Sequence, residues 1–265
     1  MRVLFLGDII SKAGRKALAD GLETIKARLA VDLCVGNVEN AAGIFGVTPK
    51  VIDEIVASGV DLMTSGNHVW DKREGIGLLD SRDDILRPAN YPPGVPGRGF
   101  VVREIKGAPL SLINLQGRTF MIPIDCPFRS ADLILSEIPP GVKIILVDFH
   151  AEATSEKQAL GAYLDGRVSA VVGTHTHVQT ADERLLPGGT AFITDVGMVG
   201  PVDSVIGVRK EQVIERFTRA LPVRFDVASG PVRICGLLVD IDDATGRARE
   251  VLRVREEIEI HEELL

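Results

Sequence analysis

The stretch VSAVVGTHTH occupies residues 168–177 and joins a short β-branched run to two histidines one residue apart. With only five histidines in 265 residues, a His-x-His motif arises by chance in roughly one such chain in ten, so the motif alone decides little. The apolar run has the composition of a buried strand. Ligands of α/β sheets bind beyond the carboxyl ends of such strands, so the motif predicts a site at a strand end.

Apolar runs of this kind recur along the chain and alternate with helical patterns. Strands are predicted at 2–7, 31–37, 60–66, 111–117, 143–149, 168–174 and 190–195, and helices at about 11–29, 48–58, 73–80, 130–137, 153–165 and 208–220. Near-continuous apolar strands separated by helices are typical of a largely buried sheet that helices cover. The pattern therefore predicts an α/β fold.

The remaining segments predict loops and a closing hairpin. Residues 232–242 and 249–260 flank the turn sequence DATGRA and are expected to pair. Residues 88–99 are rich in Pro and Gly and are expected to form an irregular loop. Residues 117–129 could form a lid or an oligomer contact. Because no repeat or linker is visible, residues 1–265 are predicted to be a single domain with loop elaborations near 88–99 and 117–129.

Charge and composition exclude some classes of partner. The formal net charge of −7 argues against a broad surface for duplex DNA, which needs clustered Lys and Arg. A small anionic substrate remains compatible, because a bound metal can invert the local field. No apolar run reaches the roughly 20 residues of a membrane helix. Three widely separated cysteines indicate reduced thiols, so a cytoplasmic protein is expected.

Polar side chains follow five of the predicted strands. They are Asp8, then Glu39 with Asn40, then Asn67 with His68, then His150, then His175 with His177. Because the carboxyl ends of parallel strands meet at one edge of a sheet, these eight side chains are expected to converge. The remaining histidine, His261, lies in the acidic tail outside this pattern.

Each of these residues also has an ordinary structural interpretation. Asp8 could cap the following helix, Asn40 and Asn67 could occupy turns, and His150 could be a hydrogen-bonded core residue. The glycines that precede them could be turn glycines; these are Gly7, Gly36, Gly66 and Gly173. Taken together, these interpretations do not explain why every polar residue lies at the same strand ends.

The donor types indicate a metal site. Residues two apart on a strand point the same way, so His175 and His177 both face one site if strand geometry continues. Imidazole, carboxylate and amide oxygen suit Fe, Mn or Zn. Seven donors are too many for one catalytic ion with an open position. Two ions that share a carboxylate fit better, and such pairs are a device of phosphoryl transfer.

With these residues in view, the sequence resembles the calcineurin-like metallophosphoesterases, and specifically their YmdB-type branch. The matching blocks are GDII (7–10), GNVEN (36–40), GNHV (66–69), DFH (148–150) and GTHTH (173–177), in the family order. Ile10, Glu39, Val69 and Thr174 depart from the general family and match the branch, as do DFHAEATSEK (148–157) and TDVGMVGPVDSVIG (194–207). The resemblance implies a layered α/β/β/α sandwich with helices outside the sheets.

The resemblance also implies a site with two divalent ions, Fe or Mn foremost and Zn as a further option. Asp8, Asn40 and His177 would hold one ion, whereas Asn67, His150 and His175 would hold the other, with Glu39 as the bridge. His68 would be the catalytic histidine. It would not join Asn67 on the same ion, since adjacent residues of an extended chain point in opposite directions. The ordinary alternative is that His68 starts a helix.

The implied activity is a phosphodiesterase that hydrolyses cyclic nucleotides, 2′,3′-cyclic nucleoside monophosphates foremost, by attack of a hydroxide that bridges the ions. The motifs alone do not select the substrate. A phosphomonoesterase or nuclease with the same metal core, an amidohydrolase, and a non-catalytic regulator that binds nucleotide or RNA remain alternatives. A homo-oligomer is also left open.

Overall fold

A computed structural model describes residues 1–259. In chain order its elements are β1 (Arg2–Ile9), α1 (Ser11–Arg28), β2 (Leu33–Asn37), α2 (Pro49–Ala57), β3 (Leu62–Thr64), α3 (Arg73–Ser81), β4 (Phe100–Ile105), β5 (Ala108–Gln116), α4 (Pro127–Glu137), β6 (Ile144–His150), α5 (Thr154–Leu164), β7 (Ala170–Thr174), β8 (Arg184–Leu185), β9 (Ala191–Ile193), β10 (Met198–Pro201), α6 (Lys210–Arg219), β11 (Val232–Ile241) and β12 (Ala248–Ile258). No helix within this described part is long and apolar enough to cross a membrane.

The strands form two sheets rather than the one sheet that the sequence pattern predicts. The first has the order β12-β11-β10-β1-β2-β3, and the second has the order β4-β5-β6-β7-β9-β8. In the first sheet β1, β2 and β3 are parallel neighbours. In the second sheet β5, β6, β7 and β9 are parallel neighbours. Helical connections permit this parallel pairing, and antiparallel strands close the edges.

Alternation along the strands explains why two sheets stack. On β1, Val3 and Phe5 are buried in the cluster between the sheets, together with residues of β5 and β6. Leu4 and Leu6 point the other way and pack in a second cluster with Leu18 of α1. A strand that is apolar on both faces must be covered on both faces. One face of the first sheet therefore contacts the second sheet, and the other contacts α1 and α2.

The second sheet is covered in the same manner. Phe149 of β6 packs in a third cluster with Ile134 of α4 and Leu160 of α5. The order of layers is thus helices, sheet, sheet, helices. The predicted α/β/β/α sandwich is confirmed. An amidohydrolase barrel is not formed, since both sheets are open.

Three strands were not predicted from the sequence, namely β4, β8 and β10. β4 is an edge strand that joins β5 through a two-residue turn at Lys106 and Gly107, both with positive φ. β10 has four residues and lies between β1 and β11. Its pairing depends on distant strands rather than on its own pattern, which is too short for periodicity to reveal.

The predicted loops and the closing hairpin can be compared with the structure. Residues 88–99 contain no helix or strand, and α4 begins at Pro127, so helix takes up the last part of 117–129. β11 and β12 pair antiparallel around the DATGRA turn. The end of the predicted strand 249–260 and His261 lie outside the described residues.

Candidate functional site

All eight polar residues predicted from the strand ends converge in one place. Four of the metal-ligand candidates lie on or just after β1, β2 and β3 of the first sheet. The other three lie on or just after β6 and β7 of the second sheet. Asp8, Glu39, Asn40 and His150 are all at most 2% exposed. Burial of this many polar side chains is costly unless each has a partner, so their convergence requires a chemical explanation.

The first group of atoms surrounds His150 Nε2. Three atoms lie 3.1 Å from it, namely Glu39 Oε1, Asn67 Oδ1 and His175 Nδ1. The rings of His150 and His175 meet edge to face, with centroids 4.7 Å apart. We refer to these atoms, with His150 Nε2 itself, as the four front atoms. Imidazole nitrogen, carboxylate oxygen and amide oxygen are all metal-ligand types.

The second group lies on the other side of Glu39. His177 Nε2 is 3.2 Å from Asn40 Nδ2 and 3.9 Å from Asp8 Oδ1. Asp8 Oδ1 and Asn40 Oδ1 are buried without a hydrogen-bond partner. Glu39 Oε1 contacts both groups, since it accepts a hydrogen bond from Asn40 Nδ2 at 3.3 Å. Glu39 thus lies between the two groups of side chains, and their assignment to two ions stays a prediction of the resemblance.

Oxygen atoms behind the histidines fix which ring nitrogen faces the site. His150 Nδ1 lies 2.9 Å from Thr174 Oγ1, whose hydroxyl donates to Asp148 Oδ1 at 2.8 Å. The hydroxyl hydrogen is thus committed to Asp148, and Thr174 Oγ1 accepts from His150 Nδ1–H. The lone pair of His150 Nε2 consequently points into the site. Partners of this kind are found behind metal-binding histidines.

The His-x-His residues are arranged similarly. His177 Nδ1 donates to the carbonyl oxygen of Ile206 at 2.9 Å, and Glu152 Oε2 lies 3.0 Å from His175 Nε2. These oxygens favour a proton on the rear nitrogen of each ring, so the front nitrogens carry lone pairs. When both rings are neutral, none of the four front atoms has a hydrogen to offer to the others. Such a set repels itself unless a proton or a metal cation lies among its members.

The electrostatic field of the site also favours a cation. Burial alone lowers the pKa of His150, but the Glu39 and Asp8 carboxylates outweigh it and raise that pKa to about 9. Burial, reinforced by the neighbouring His150, lowers the pKa of His175 to about 3, so His175 is neutral at physiological pH. Burial raises the pKa of Asp8. The negative potential that holds a proton on His150 can equally hold a metal.

His68 lies beside the front atoms and is not one of them. Its backbone N–H donates to Glu39 Oε2 at 2.9 Å, and its ring stacks on Phe45 with centroids 4.1 Å apart. Its Nδ1 lies 2.8 Å from Asp71 Oδ2. The Nδ1–H donates to this carboxylate, so Nε2 is the ring nitrogen that remains for a substrate. The side chain is 28% exposed, so it is accessible to a substrate.

Two steps of the sequence argument are wrong in their geometry, although the residues converge. β7 ends at Thr174, and His175 and His177 have φ of 105° and 62°, so the His-x-His segment is a turn and not a continued strand. The turn is held because the N–H of His175 donates to Asp8 Oδ2 at 3.1 Å. Asn67 and His68 also lie in a turn beyond β3, not on extended chain.

The glycines of the motifs are not turn glycines, because none of Gly7, Gly36, Gly66 and Gly173 has positive φ. Their role is close approach. A Cβ at Gly66 would lie 2.1 Å from His150 Cδ2, and one at Gly173 would lie 1.7 Å from the carbonyl oxygen of Thr194. These glycines therefore allow the strands and the His150 ring to pack against the backbone.

Several residues around the site were missed by the sequence argument. They are Asn37, Thr64, Asp71, Asp148, Glu152, Thr174, Lys157 and Asp195. A signal existed for Asp148, since it lies two residues before His150 on β6 and must face the same way. Burial raises the pKa of Asp148 to about 6, against the hydrogen bonds from the threonines. No local pattern marks Glu152 or Lys157.

A buried ion pair supports the His-x-His turn. Lys157 Nζ donates to Asp195 Oδ2 at 2.6 Å, and both residues are at most 1% exposed. The same oxygen accepts from the Thr176 N–H at 3.0 Å, and Asp195 Oδ1 accepts from the Gly197 N–H at 2.8 Å. The pair thus fixes the backbone between His175 and His177 from behind.

Replacing Lys157 with methionine is expected to lower the free energy of unfolding by about 3–5 kcal/mol, because it leaves the Asp195 carboxylate buried without a counterion. Urea unfolding measures this loss. Adding Asp195→Asn to Lys157→Met removes the stranded charge and should recover part of the loss. A single variant that loses less than about 1 kcal/mol would contradict the role given to the pair.

A cleft opens from the site toward α6. It has a volume of about 810 Å³, and its inner end is formed by Glu39, Asn40, His68, His175 and His177. Its outer walls are mainly apolar and include Phe45, Val205, Val208, Val213, Phe217 and Phe225. The site is therefore accessible from solvent through an apolar entrance.

Comparison with known proteins identifies the family. The model of the YmdB-like protein family matches residues 4–254. The chain belongs to the YmdB-like family. The 2′,3′-cyclic-nucleotide 2′-phosphodiesterase of Bacillus subtilis is 48% identical over 254 residues, which cover 96% of each chain. This agrees with the resemblance drawn from the motif blocks.

Two solved structures superpose closely on this chain. A hypothetical protein from Thermus thermophilus is 43% identical with a TM-score of 0.92, covering 97% of this chain and 99% of its own. A phosphatase from Mycoplasma pneumoniae is 33% identical with a TM-score of 0.92, covering 97% and 93%. The prediction of a metallophosphoesterase is thereby confirmed: the chain is an enzyme that hydrolyses phosphate esters.

Proposed function

We propose that this YmdB-like chain is a dinuclear, metal-dependent phosphodiesterase that opens 2′,3′-cyclic nucleoside monophosphates. The observation that carries the proposal is the set of four front atoms, in which Glu39 Oε1, Asn67 Oδ1 and His175 Nδ1 all converge at 3.1 Å on His150 Nε2. The activity named for the Bacillus subtilis relative supports the choice of substrate. We also propose that the chain acts as one domain.

The residues fit two divalent cations. Asn67, His150 and His175 would hold one, and Asp8, Asn40 and His177 would hold the other, with Glu39 shared between them. Asp8 Oδ1 and Asn40 Oδ1 supply two buried oxygens that have no hydrogen-bond partner. Nitrogen and oxygen donors without thiolate favour Fe or Mn, with Zn as a further option. Bound there, such cations supply Lewis acidity toward phosphoryl oxygens and a nucleophile at neutral pH.

The chain itself supplies the proton and the shape of the site. In the reaction, water adds to phosphorus, the bond from phosphorus to one ribose oxygen breaks, and that oxygen takes a proton to give a nucleoside monophosphate. His68 is placed to provide the proton, because Asp71 orients its ring through Nδ1 and Phe45 stacks on the ring face. The ring alternatively stabilises negative charge on the phosphoryl oxygens.

Comparing three substrates tests the proposal. The Mn-loaded protein should turn over 2′,3′-cyclic AMP, followed by ³¹P NMR, with a higher kcat/KM than adenosine 3′-monophosphate or a single-stranded dinucleotide. The product should be a monophosphate that is not degraded further. Faster release of inorganic phosphate from the monophosphate would make the enzyme a phosphomonoesterase, and faster cleavage of the dinucleotide would make it a nuclease.

Metal affinity should depend on pH. The metal-free site holds a proton because the pKa of His150 is raised from 6.5 to about 9. Ligation requires the neutral ring, so binding releases this proton below that pKa. Affinity for Mn²⁺ is therefore expected to rise with pH, by up to about tenfold per unit below pH 9. Calorimetry in buffers of different ionisation enthalpy measures the proton, and no release at pH 7 would contradict the expectation.

A further inference from the structure

The apolar cleft that opens from the site has no role in the chemistry described so far. Its inner end is shared with Glu39, His68 and His177, whereas its outer part lies between Phe45 and α6. Its volume of about 810 Å³ falls within the roughly 300–1,000 Å³ of small-molecule sites. Whatever occupies it therefore lies next to the reacting phosphate.

The outer walls of the cleft are unusual for an exposed surface. Phe217 on α6 is 82% exposed, Ile206 is 50% exposed and Phe45 is 42% exposed, and all three line the cleft. Contiguous exposed apolar side chains mark binding sites on soluble proteins. Two of the three are flat aromatic rings, and Phe45 already stacks on His68 at the inner end of the cleft.

Arg216 is the basic side chain of the outer cleft, and the acidic side chain of Glu152, which also lines the cleft, lies 3.0 Å from His175 Nε2 at the inner end. No residue that the structure describes forms an ion pair with Arg216. Its guanidinium offers hydrogen-bond donors and no acceptor. An occupant of the outer cleft should therefore combine a flat apolar body with hydrogen-bond acceptors on its edge.

We propose that the outer cleft binds the nucleobase of the substrate, with Phe217 as the stacking residue that sets the preference for nucleotides over other cyclic phosphodiesters. The inference rests on the proposed function, since the phosphate must lie at the front atoms for the base to reach Phe217. Stacking on an aromatic side chain tolerates any base, because every base has a π-face. The site thus selects a nucleotide without selecting one base by its hydrogen bonds.

Continuity with the site favours a base over other occupants. His68 lies at one end of the cleft and Phe217 at the other. The group that occupies the outer end is therefore a part of the same molecule on which His68 acts. A second copy of the chain would close the entrance to the substrate. A substrate with a nucleobase accounts for the aromatic rings, for Arg216 and for the open entrance together.

The test compares two cyclic diesters that differ in the base. For each Mn-loaded variant we would measure kcat/KM for 2′,3′-cyclic AMP and for glycerol 1,2-cyclic phosphate, which has no base. Phe217→Ala should lower the ratio of the two values at least about fivefold, the smaller end of base–aromatic stacking. Because Phe217 is a surface residue, this substitution removes little packing. Ile214→Ala is the matched control, since Ile214 is 58% exposed on the same helix and does not line the cleft.

A ratio that is the same in wild type, Phe217→Ala and Ile214→Ala would overturn the inference. So would a Phe217→Ala variant that changes the sedimentation of the protein and leaves the ratio unchanged, because Phe217 would then be a contact between copies.

Equilibrium dialysis with adenosine alone separates this inference from the proposed function. Adenosine should bind wild type more tightly than Phe217→Ala even if neither diester is hydrolysed, and equal binding would contradict the base site.

Discussion

Replacing Glu39 with glutamine is expected to remove metal and turnover together. Glu39 Oε1 lies 3.1 Å from His150 Nε2 and 3.3 Å from Asn40 Nδ2, so this carboxylate oxygen contacts both groups of donors. The amide removes one negative charge, and its NH₂ group cannot replace the carboxylate oxygen that accepts from Asn40 Nδ2 or from the His68 N–H. Losing a residue that merely supports a ligand costs roughly 10–100-fold in affinity. The loss at Glu39 should exceed about 100-fold.

Metal analysis after gel filtration and initial rates on 2′,3′-cyclic AMP measure both effects. Glu257→Gln serves as the matched control. It is the same kind of substitution at a position on β12, where Glu257 forms an exposed ion pair with Arg233. Circular dichroism establishes that both variants fold. A Glu39→Gln protein that keeps two metals and its activity would contradict the bridging role.

Replacing His68 with alanine should separate metal binding from turnover. His68 contacts Glu39 only through its backbone N–H, which alanine retains, so the metal content should remain that of wild type. Loss of a positioned proton donor lowers kcat by about 10²–10⁴-fold. Asp71→Asn, which weakens the support of the ring through its Nδ1, should cause a smaller loss in the same direction.

The leaving group distinguishes the two roles of His68. A diester of p-nitrophenol needs no proton on its leaving oxygen, so His68→Ala should lose much less activity on it if His68 is the general acid. An equal loss on both substrates assigns the ring to charge stabilisation. A His68→Ala protein without metal would contradict the account of this residue altogether.

The site could be predicted from the sequence because its residues follow strands directly. Asp8, His150 and the His-x-His motif stand at the carboxyl ends of apolar runs, and parallel strands bring such ends together. The predicted convergence did not depend on the number of sheets, which the sequence pattern predicts as one and which is two in the structure. β1 and β6 belong to different sheets, but the sheets stack so that their carboxyl ends meet.

The supporting residues could not be predicted, because their partners are distant in sequence. Asp195 contacts Lys157 across 38 residues, and Asn37 approaches Thr174 across 137. Positive φ at His175 and His177 likewise arises from tertiary hydrogen bonds to Asp8 and Ile206, not from local preference. Only the folded chain creates these contacts. β10 was missed for the same reason.

The apolar entrance was also invisible in the sequence. Phe45 and Phe217 lie 172 positions apart and come together only because α6 and the loop after β2 border the same cleft. In isolation, each is an unremarkable exposed aromatic residue. Their shared position beside His68 is what turns them into candidates for substrate contacts.

The most direct test of the dinuclear site is a metal titration with two readouts. Metal-stripped protein would receive Mn²⁺ under anaerobic conditions while bound metal per chain and the rate on 2′,3′-cyclic AMP are measured at each addition. The account predicts binding of two ions per chain, with turnover absent in stripped protein and complete only when both are bound. Protein that carries two ions per chain and shows no turnover, or that reaches full turnover without metal, would contradict it.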